Sequence, residues 1–474
     1  MKVIKEASLE EVLWNREKRI ATQKELLEIY PGTLICFLLN IPGSEKVNET
    51  FEMVFYEGME KIQEKLETER IPIEVQLVQR KVTGYEGYLV VKADSSRVKK
   101  LMIELEETRL GRLYDIDVLE KENVKISRST LGISERKCLL RDNPAYQCGR
   151  SRTHSVKELR KRIDQMIWED RLIKEVTSEI RQALMEEVYT TPKPGLVDRE
   201  DRGAHADMDC RTFQKSTAAI AEDLAAMFEA GYHWKSAPEA LFPILRELGK
   251  ETEEKMFAAT KGVNTHKGMI FTIGILAAAS GIALKNSGKI ETEDVCRISR
   301  DMTKRELEKD LRKLEHSSGT THGEKIYCQL GETGVRGLAM TGYPILCNLT
   351  VPHRKQYLAK NRNRNQVNVQ TLLEIMAELT DTNVISRSNE KELQWLQTEA
   401  KNILEAGGAF CASGLENVRK LNRICIHKNI SPGGAADLLA ATIFLCRMET
   451  LMERMQCEDA ACGIVSKEQV WYTM

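Results

Sequence analysis

The sequence has no excess of charge of either sign. Its 474 residues include 70 Lys and Arg against 71 Asp and Glu, which leaves a formal net charge of -1. A protein without a strong overall field has no general electrostatic attraction to nucleic acid or to an anionic membrane surface. We therefore expect neither partner, and any anion site has to be built locally.

The sequence also has few of the features that direct a chain to or across a membrane. The N-terminus lacks the apolar core of a signal peptide. The longest apolar run, residues 269–284, is short for a membrane span and rich in small residues, which favours a buried helix. The 12 cysteines are scattered rather than arranged as a disulfide framework. These features predict a cytoplasmic protein with reduced thiols.

Strand patterns are confined to the first third of the chain. Apolar, β-rich runs alternate there with helical stretches and cover residues 33–41, 73–82, 87–93 and 114–119. Beyond about residue 165, apolar residues recur at helical spacing instead. A chain of this length also favours two or more domains.

We therefore predict a multidomain protein, with an N-terminal α+β domain over residues 1–167 and a larger all-α domain over residues 168–474. Helical periodicity continues through the boundary in the charged residues 155–184. The joint is therefore expected to be a helix or a helix pair rather than a flexible linker.

Residues 191–209, TPKPGLVDREDRGAHADMD, combine four aspartates and a histidine with two prolines and two glycines. Proline and glycine disfavour regular structure, so we expect a loop that feeds a helix beginning near Asp209 or Thr212. A solvated acidic loop is one interpretation. The clustering favours another, because hard oxygen ligands suit Mg²⁺, which fills its remaining positions with water and phosphate.

Four further polar clusters lie beside glycines in the helical half, at residues 261–268, 321–327, 334–344 and 429–445. Each cluster alone is more often structural than functional. Together they favour a site, because loops on a rigid scaffold often carry function. In the last cluster Ser431 is the expected helix cap, with Pro432 at the first helical position. The candidate binding residues are Asn264, His266, Lys267, Glu324, Arg336, Ser431, Gly433, Gly434 and Asp437.

The N-terminal half carries its own candidate site in YDIDV. Asp115 and Asp117 alternate on a predicted strand, so both carboxylates are expected on one face, where they could hold Mg²⁺. The alternative is an edge strand whose acids only face water. A set of arginines with guanidinium forks suited to phosphate accompanies them: Arg112, Arg128, Arg136, Arg150 and Arg152. A solvated basic surface is the alternative for that set.

The sequence spacing disfavours a zinc site at Cys138, Cys148 and His154. The two cysteines have nine residues between them and only one histidine follows, which is not the close paired spacing of structural zinc sites.

The segments TPKPGLVDREDRGAHADMD, GVNTHKG, THGE, GVRG and SPGGAADLLAATIFL together resemble the triphosphoribosyl-dephospho-coenzyme-A synthase family over about residues 170–474. The resemblance implies transfer of the triphosphoribosyl unit of ATP to the 2′-hydroxyl of 3′-dephospho-CoA, with release of adenine. A related synthase serves malonate decarboxylase, so this half alone leaves the pathway open.

The segments REKRIATQKELL, GRLYDIDVL, ISRSTLGISERKCLL and CGRSRTHSVKEL resemble the citrate lyase holo-acyl-carrier-protein synthase family over about residues 8–165. This resemblance implies transfer of the finished prosthetic group to a serine of the apo-acyl carrier protein of citrate lyase, with loss of pyrophosphate. It also implies a second cysteine within three residues of Cys138, where this chain has Arg141. That departure further disfavours a metal site.

The two resemblances together imply a bifunctional enzyme, and they suggest a role for each candidate. Mg²⁺ and the sugar are assigned to Asp198, Asp201 and Asp209, of which Asp201 and Asp209 are also catalytic candidates. The triphosphate is assigned to His266, Lys267 and Arg336, and proton donation to His205 or His322. Asp115 and Asp117 would hold Mg²⁺ in the second step, with Asp117 catalytic. A Mg²⁺-dependent ribosyl glycohydrolase and a non-catalytic scaffold for the carrier protein remain alternatives.

Overall fold

The structure, a computed structural model, describes residues 6–314, 319 and 321–455, without the side chain of His322. The chain divides into two compact units, one ending at Leu172 and the other beginning at Ile173. The first unit is mixed α and β and the second is helical, which confirms the predicted fold class. The division falls inside one continuous helix, Val156–Tyr189, which also contains the boundary expected after residue 167.

The N-terminal unit is built around an antiparallel sheet with the strand order β2-β3-β1-β4-β5. Its elements, in chain order, are α1 (Leu9–Ile29), β1 (Thr33–Leu39), α2 (Glu49–Thr68), β2 (Ile73–Lys81), β3 (Gly84–Val91), α3 (Ser95–Glu106), β4 (Tyr114–Glu120), β5 (Val124–Ile126), α4 (Ala145–Arg150) and the first part of α5 (Val156–Tyr189).

The alternating side chains of the central strands divide the core of this unit between the two sheet faces. On one face Phe37 and Ile116 belong to a cluster that includes apolar residues of α2, α3 and α5, such as Phe55. On the other face Leu34 and Tyr88 belong to a smaller cluster that includes residues of α1. All four strands expected from the sequence are present, and the short β5 is an addition.

The second unit is helical throughout the part of the chain that the structure describes. Beyond the end of α5 its helices are α6 (Cys210–Tyr232), α7 (Phe242–Thr260), α8 (Lys267–Ser287), α9 (Thr292–Leu314), α10 (His322–Leu330), α11 (Gly334–Thr341), α12 (Val351–Ala359), α13 (Arg364–Glu378), α14 (Thr382–Arg387), α15 (Glu390–Glu405), α16 (Ala412–His427) and α17 (Gly433–Glu449).

Helix α8 is the central helix of this unit. Among the described residues it is the one helix long and apolar enough to cross a membrane, yet 83% of its most apolar window is buried inside the structure. Every residue from Ile273 to Leu284 is buried. This is the behaviour of a core helix, as the sequence predicts for residues 269–284.

Helices α6 and α8 approach each other closely at two glycines. A Cβ atom on Gly231 would overlap the carbonyl oxygen of Ala278, and one on Gly281 would overlap the carbonyl oxygen of Phe228. The absence of side chains lets the two backbones come into direct contact. The helix pair that positions the N-terminus of α8 therefore depends on glycine at both positions.

Substitution of Gly231 by alanine should destabilise the protein by about 1–3 kcal/mol, the usual cost of overpacking. The matched control is Gly249→Ala in α7, where a Cβ would meet no atom within 4 Å. Alanine there should stabilise the helix by up to about 1 kcal/mol. Urea unfolding of both variants checks this, and equal effects would contradict the close approach of α6 and α8.

Candidate functional sites

The acidic loop before α6 is organised by its own aspartates. The buried Asp198 accepts hydrogen bonds from three backbone amides, those of Glu200 (2.7 Å), Asp201 (3.0 Å) and Lys193 (3.0 Å). Burial nevertheless raises the pKa of Asp198. Asp201 accepts one bond from the amide of Gly203 at 2.7 Å and another from Asn422 Nδ2 at 2.9 Å. These bonds fold the loop and tie it to α16.

A buried ion pair lies beneath the loop. Lys193 Nζ donates a hydrogen bond to Glu187 Oε1, and each side chain is only 2% exposed. Burial raises the pKa of Glu187 although Lys193 opposes the shift. Neither residue was predicted from the sequence. Lys193 stands between Pro192 and Pro194, next to the more numerous acids of the loop.

Two further carboxylates lie near each other in the C-terminal part of the chain, the half-buried Asp437 and the buried Asp381, and Asp437 also lies near Glu187. Burial raises the pKa of Asp437 well above its usual range, and the nearby charges of Asp381 and Glu187 add to the shift. A Cβ atom on Gly268 would overlap the Asp437 carboxylate, which therefore lies against the first turn of α8. The Asp437 side chain is half-buried, and among the described residues no hydrogen bond contributes to the shift of its pKa.

Asp381, also missed from the sequence, caps α17 from outside that helix. Its carboxylate accepts the amide of Ala435 at 3.0 Å and that of Asn383 at 2.9 Å. A Cβ on Gly434 would stand 3.0 Å from Asp381 Oδ1, so glycine admits the carboxylate here. The expected cap was Ser431, and this expectation is wrong. The helix begins at Gly433 with Pro432 as its N-cap and no side-chain bond at that position.

The hydroxyl of Ser431 bonds a predicted proton donor instead. Ser431 Oγ lies 2.8 Å from His205 Nε2, which connects the acidic loop to the start of α17. Burial lowers the pKa of His205, and the positive charge of Arg387 acts in the same direction. The lowered pKa favours the neutral imidazole, which can accept a proton or pass one on.

His266 is completely buried at the N-terminus of α8. Its Nδ1 lies 2.6 Å from Ser216 Oγ, while its Nε2 has no hydrogen-bond partner in the described part of the chain. Burial lowers the pKa of His266 to about 3, and the charge of Lys193 contributes. At neutral pH the side chain is uncharged, so a contact with phosphate would be a hydrogen bond without an ionic component.

The remaining predicted residues of this half have local partners. Lys267 pairs with Glu253 at 2.9 Å, and Arg336 pairs with Glu324 at 3.0 Å. The side chain of His322 lies outside the described residues. Asn264 Oδ1 accepts the amide of Lys267 at 3.3 Å, and Asp209 caps α6 by accepting the amide of Thr212 at 3.0 Å. Helix α6 thus starts where the sequence analysis expected.

Contacts connect most of the glycine-flanked clusters. His205 is within hydrogen-bond distance of Ser431. The backbone of Gly268 contacts the Asp437 carboxylate, and the backbone of Gly334 lies against Thr382, which follows the capping Asp381. The sequence segments are far apart, but the bundle gathers them around one set of helix ends. The result is a largely buried cluster of the charged side chains Glu187, Lys193, Asp198, Asp381 and Asp437, which we call the acidic cluster.

In the N-terminal unit, β4 presents Asp115 and Asp117 on one sheet face, as predicted, and the intervening Ile116 points into the opposite core. Asp117 pairs with Lys125 at 2.5 Å. Burial and the charge of Asp117 raise the pKa of Asp115. Strand β5 pairs with β4 only at Val118, Leu119 and Glu120, so β4 is an interior strand there. Asp115 and Asp117 lie on the part of β4 that pairs with β1, and the edge-strand interpretation stays open for these two residues.

Three of the predicted arginines converge beside this pair of acids. Arg128 bonds the buried Glu106 at 2.7 Å, and Arg136 lies 3.9 Å from both Glu106 and Asp115. Burial lowers the pKa of Arg112, and the positive charges of Arg136 and Arg128 add to this effect. The three guanidinium groups thus lie close together, with the carboxylates of Glu106, Glu107 and Asp115 among them. Arg150 and Arg152 are exposed in and after α4.

A polar network under α1 was missed from the sequence. The buried Glu86 accepts hydrogen bonds from Asn15, Arg19, Lys81 and Tyr88 at 2.7 to 2.8 Å. Burial alone would raise the pKa of Glu86, but these donors outweigh it and lower that pKa. The only sequence signal was a charged residue within an otherwise apolar strand.

The structure also brings together residues for which the sequence disfavoured a site. One potential ligand atom each from Cys138, Cys148 and His154 lies within 4.8 Å of the others. The spacing along the chain disfavours a site here, but the fold brings the three side chains close together.

Comparison with known proteins shows that each of the two units matches a different protein family. The family CitG, ATP:dephospho-CoA triphosphoribosyl transferase, matches residues 173–455. The family CitX, apo-citrate lyase phosphoribosyl-dephospho-CoA transferase, matches residues 7–170. The protein CitXG of Leuconostoc mesenteroides subsp. cremoris is 34% identical over 459 residues, which cover 93% of this chain and 97% of that protein. The CitXG of Haemophilus influenzae is 30% identical over 447 residues, which cover 92% and 95%.

The chain belongs to the CitXG family. It therefore combines two transferases of citrate lyase prosthetic-group synthesis, with the CitX part first and the CitG part second. The bifunctional assignment made from the sequence is confirmed. The hydrolase and scaffold alternatives give way to a transferase in each half.

The buried His266 gives a test of the electrostatics of this site. Its pKa is about 3 in the folded state and 6.5 ordinarily, so the unfolded state binds more protons between these values. Stability should therefore fall as the pH drops below 6.5, by up to about 1.4 kcal/mol per pH unit from this group. His266→Gln should be less stable at neutral pH but lose less stability on acidification.

Urea unfolding at a series of pH values checks this expectation. The control is His233→Gln, which replaces an exposed histidine at the end of α6 and is expected to follow the wild type. If His266→Gln and the wild type lose stability in parallel below pH 6.5, His266 is not buried in its neutral form.

Proposed function

We propose that the helical part, residues 168–474, joins the triphosphoribosyl unit of ATP to the 2′-hydroxyl of 3′-dephospho-CoA and releases adenine. The product is 2′-(5″-triphosphoribosyl)-3′-dephospho-CoA. The N-terminal part, residues 1–167, then transfers the phosphoribosyl-dephospho-CoA group to a serine of the apo-acyl carrier protein of citrate lyase and releases pyrophosphate. Both steps are proposed to take place in the cytoplasm.

The observation that carries this proposal is the presence of two families in one chain, over residues 7–170 and 173–455. Their descriptions name successive steps, because the family matched over residues 173–455 forms the triphosphoribosyl compound and the family matched over residues 7–170 transfers a phosphoribosyl-dephospho-CoA group. Each unit also has its own charged cluster. The chemistry of those clusters supports one reaction in each unit.

In the first step, cleavage of the N-glycosidic bond of ATP develops positive charge on the ribose and negative charge on adenine. The site thus needs carboxylate near the sugar and hydrogen-bond donors near the base. The acidic cluster supplies carboxylates, and Asp437 is the carboxylate whose pKa shift includes no hydrogen-bond contribution among the described residues. Lys193 balances part of the negative charge. His205, bonded to Ser431, is the candidate that moves a proton.

Mg²⁺ is the proposed metal of this step, and the acidic cluster fits it. A half-buried carboxylate beside buried acids is stabilised by a bound cation. When bound, Mg²⁺ would neutralise the triphosphate. The oxygens of Asp198 and Asp201 already accept loop amides and Asn422, so these predicted ligands are proposed to bind through remaining lone pairs or to support Asp437. Lys267, Asn264, Glu324 and Arg336 remain candidates for the phosphates.

Asp437→Asn should reduce adenine release from ATP and dephospho-CoA by about 100-fold or more, as expected when a group aimed at transition-state charge is removed. The isosteric amide keeps the volume beside Gly268 and removes the negative charge. The measurement is adenine formation by chromatography. The matched control, Asp207→Asn, changes an exposed acid of the acidic loop and should retain activity.

Transfer of the prosthetic group from purified precursor should survive in Asp437→Asn, which shows that the chain is folded. Near-normal adenine release would remove Asp437 from the mechanism. It would leave the assignment of the reaction untouched if the wild type forms the coenzyme product.

In the second step the carrier serine attacks the phosphorus nearest the ribose, and pyrophosphate leaves. Positioning and positive charge provide most of the catalysis in such transfers. Arg112, Arg128 and Arg136 form the proposed phosphate-binding group, because their positive charges lie close together. Asp115 and Asp117 are the proposed Mg²⁺ ligands on the same unit. Lys125, which pairs with Asp117, would then have to release that carboxylate.

Asp117→Asn should reduce attachment of the prosthetic group to the carrier protein by about 100-fold or more, while synthesis of the precursor continues. The measurement is the intact mass of the apo-acyl carrier protein after incubation with purified precursor and Mg²⁺. Glu60→Gln, an exposed acid of α2, is the control. A full mass shift with Asp117→Asn would show that the Asp117–Lys125 pair is only structural.

A further inference from the structure

The segment between β5 and α5 has little apolar material to hold it. It includes the six-residue helix α4 and a single isolated bridge between Lys137 and Pro144. Two backbone bonds close the turns, from the amide of Cys138 to Asn143 at 2.8 Å and from that of Thr153 to Cys148 at 3.1 Å. Such a segment resembles the loops that small metal-binding motifs stabilise by cross-linking.

Three soft ligand atoms meet inside this segment. Cys138 Sγ lies 3.3 Å from His154 Nε2, and these atoms and Cys148 Sγ all lie within 4.8 Å of one another. With zinc-ligand bonds of about 2.3 Å to sulfur and about 2.0 Å to nitrogen, tetrahedral geometry separates the ligand atoms by about 3.5 to 3.8 Å. The observed spacing is therefore close to that of a preformed Cys₂His site.

The backbone around Cys138 adds an independent observation. Its Sγ accepts a hydrogen bond from the amide of Leu140 at 3.5 Å. Amides turned toward a sulfur stabilise a thiolate, which is the form that binds a metal. The three side chains alone would permit a disulfide between the cysteines, but the imidazole nitrogen beside Cys138 favours a metal.

We propose that Cys138, Cys148 and His154 bind one Zn²⁺ ion, with the fourth position taken by water. Its role is structural: it ties α4 and the turn before α5 to the residues that follow Arg136. The carbonyl oxygen of Arg136 accepts the amide of Ala145 at 2.7 Å, so the cross-linked segment is connected to the arginine group. Cys138, Cys148 and His154 are thus positioning residues for the anion site and do not contact the substrate.

The first experiment measures zinc in the full chain, purified under reducing conditions and dialysed without chelator. We expect about one zinc per chain. Cys148→Ser and His154→Ala should weaken zinc binding by more than about 100-fold, beyond the effect of losing an outer partner. The control Cys328→Ser, at an exposed cysteine of α10, should retain the metal. Zinc retained in both site variants would overturn the proposal.

A second experiment does not depend on the folding of any variant. Co²⁺ added to the metal-free wild type should give the intense visible bands of a tetrahedral site and a thiolate-to-cobalt charge-transfer band. Absence of both would overturn the proposal, as would a Cys138–Cys148 disulfide found by mass spectrometry of the reduced preparation. Arg141→Cys places a thiol three positions after Cys138, with two residues between the cysteines as in common zinc motifs. This variant should release zinc to a chelator more slowly. Unchanged release would contradict the open fourth position.

Discussion

The buried ion pair of Lys193 and Glu187 is the interaction on which the helical site depends. Two charges removed from water are stable only when they are paired and further bonded, and breaking such a pair is strongly destabilising. The pair joins the end of α5 to the start of the acidic loop. The amide of Lys193 also donates to Asp198, so the same residue organises the loop above it. The acidic cluster can therefore remain largely buried with its carboxylates close together.

The bundle surrounds this pair with helix ends rather than with helix faces. Asp437 lies against the first turn of α8, and Asp381 bonds the first turn of α17. The partial positive charge of a helix N-terminus partly offsets a buried carboxylate. Buried acids in this unit are thus compensated by backbone as much as by lysine and arginine. This arrangement also explains why glycine stands at Gly268 and Gly434, where a side chain would separate the acid from the helix.

Local patterns in the sequence were sufficient for the fold class and for most elements. The apolar, β-rich runs of β1 to β4 and the helical spacing after residue 165 depend on neighbours a few residues apart, which a single sequence displays. The site required long-range information. Asp437 was selected because of a nearby glycine motif, whereas Asp381, Glu187 and Glu86 have ordinary surroundings in the sequence. Their importance comes from burial, and the Cys138 cluster depends on a chain reversal that spacing alone cannot reveal.

The acidic loop is held mainly through main-chain amides, and this has a consequence for its evolution. The bonds to Asp198 come from the backbones of Lys193, Glu200 and Asp201, and the side chain of Glu200 is exposed. Amide donors are the same for every residue except proline. The loop can therefore accumulate substitutions at its exposed positions without losing its shape. A library of variants there would explore new substrate preferences on a scaffold that keeps its geometry.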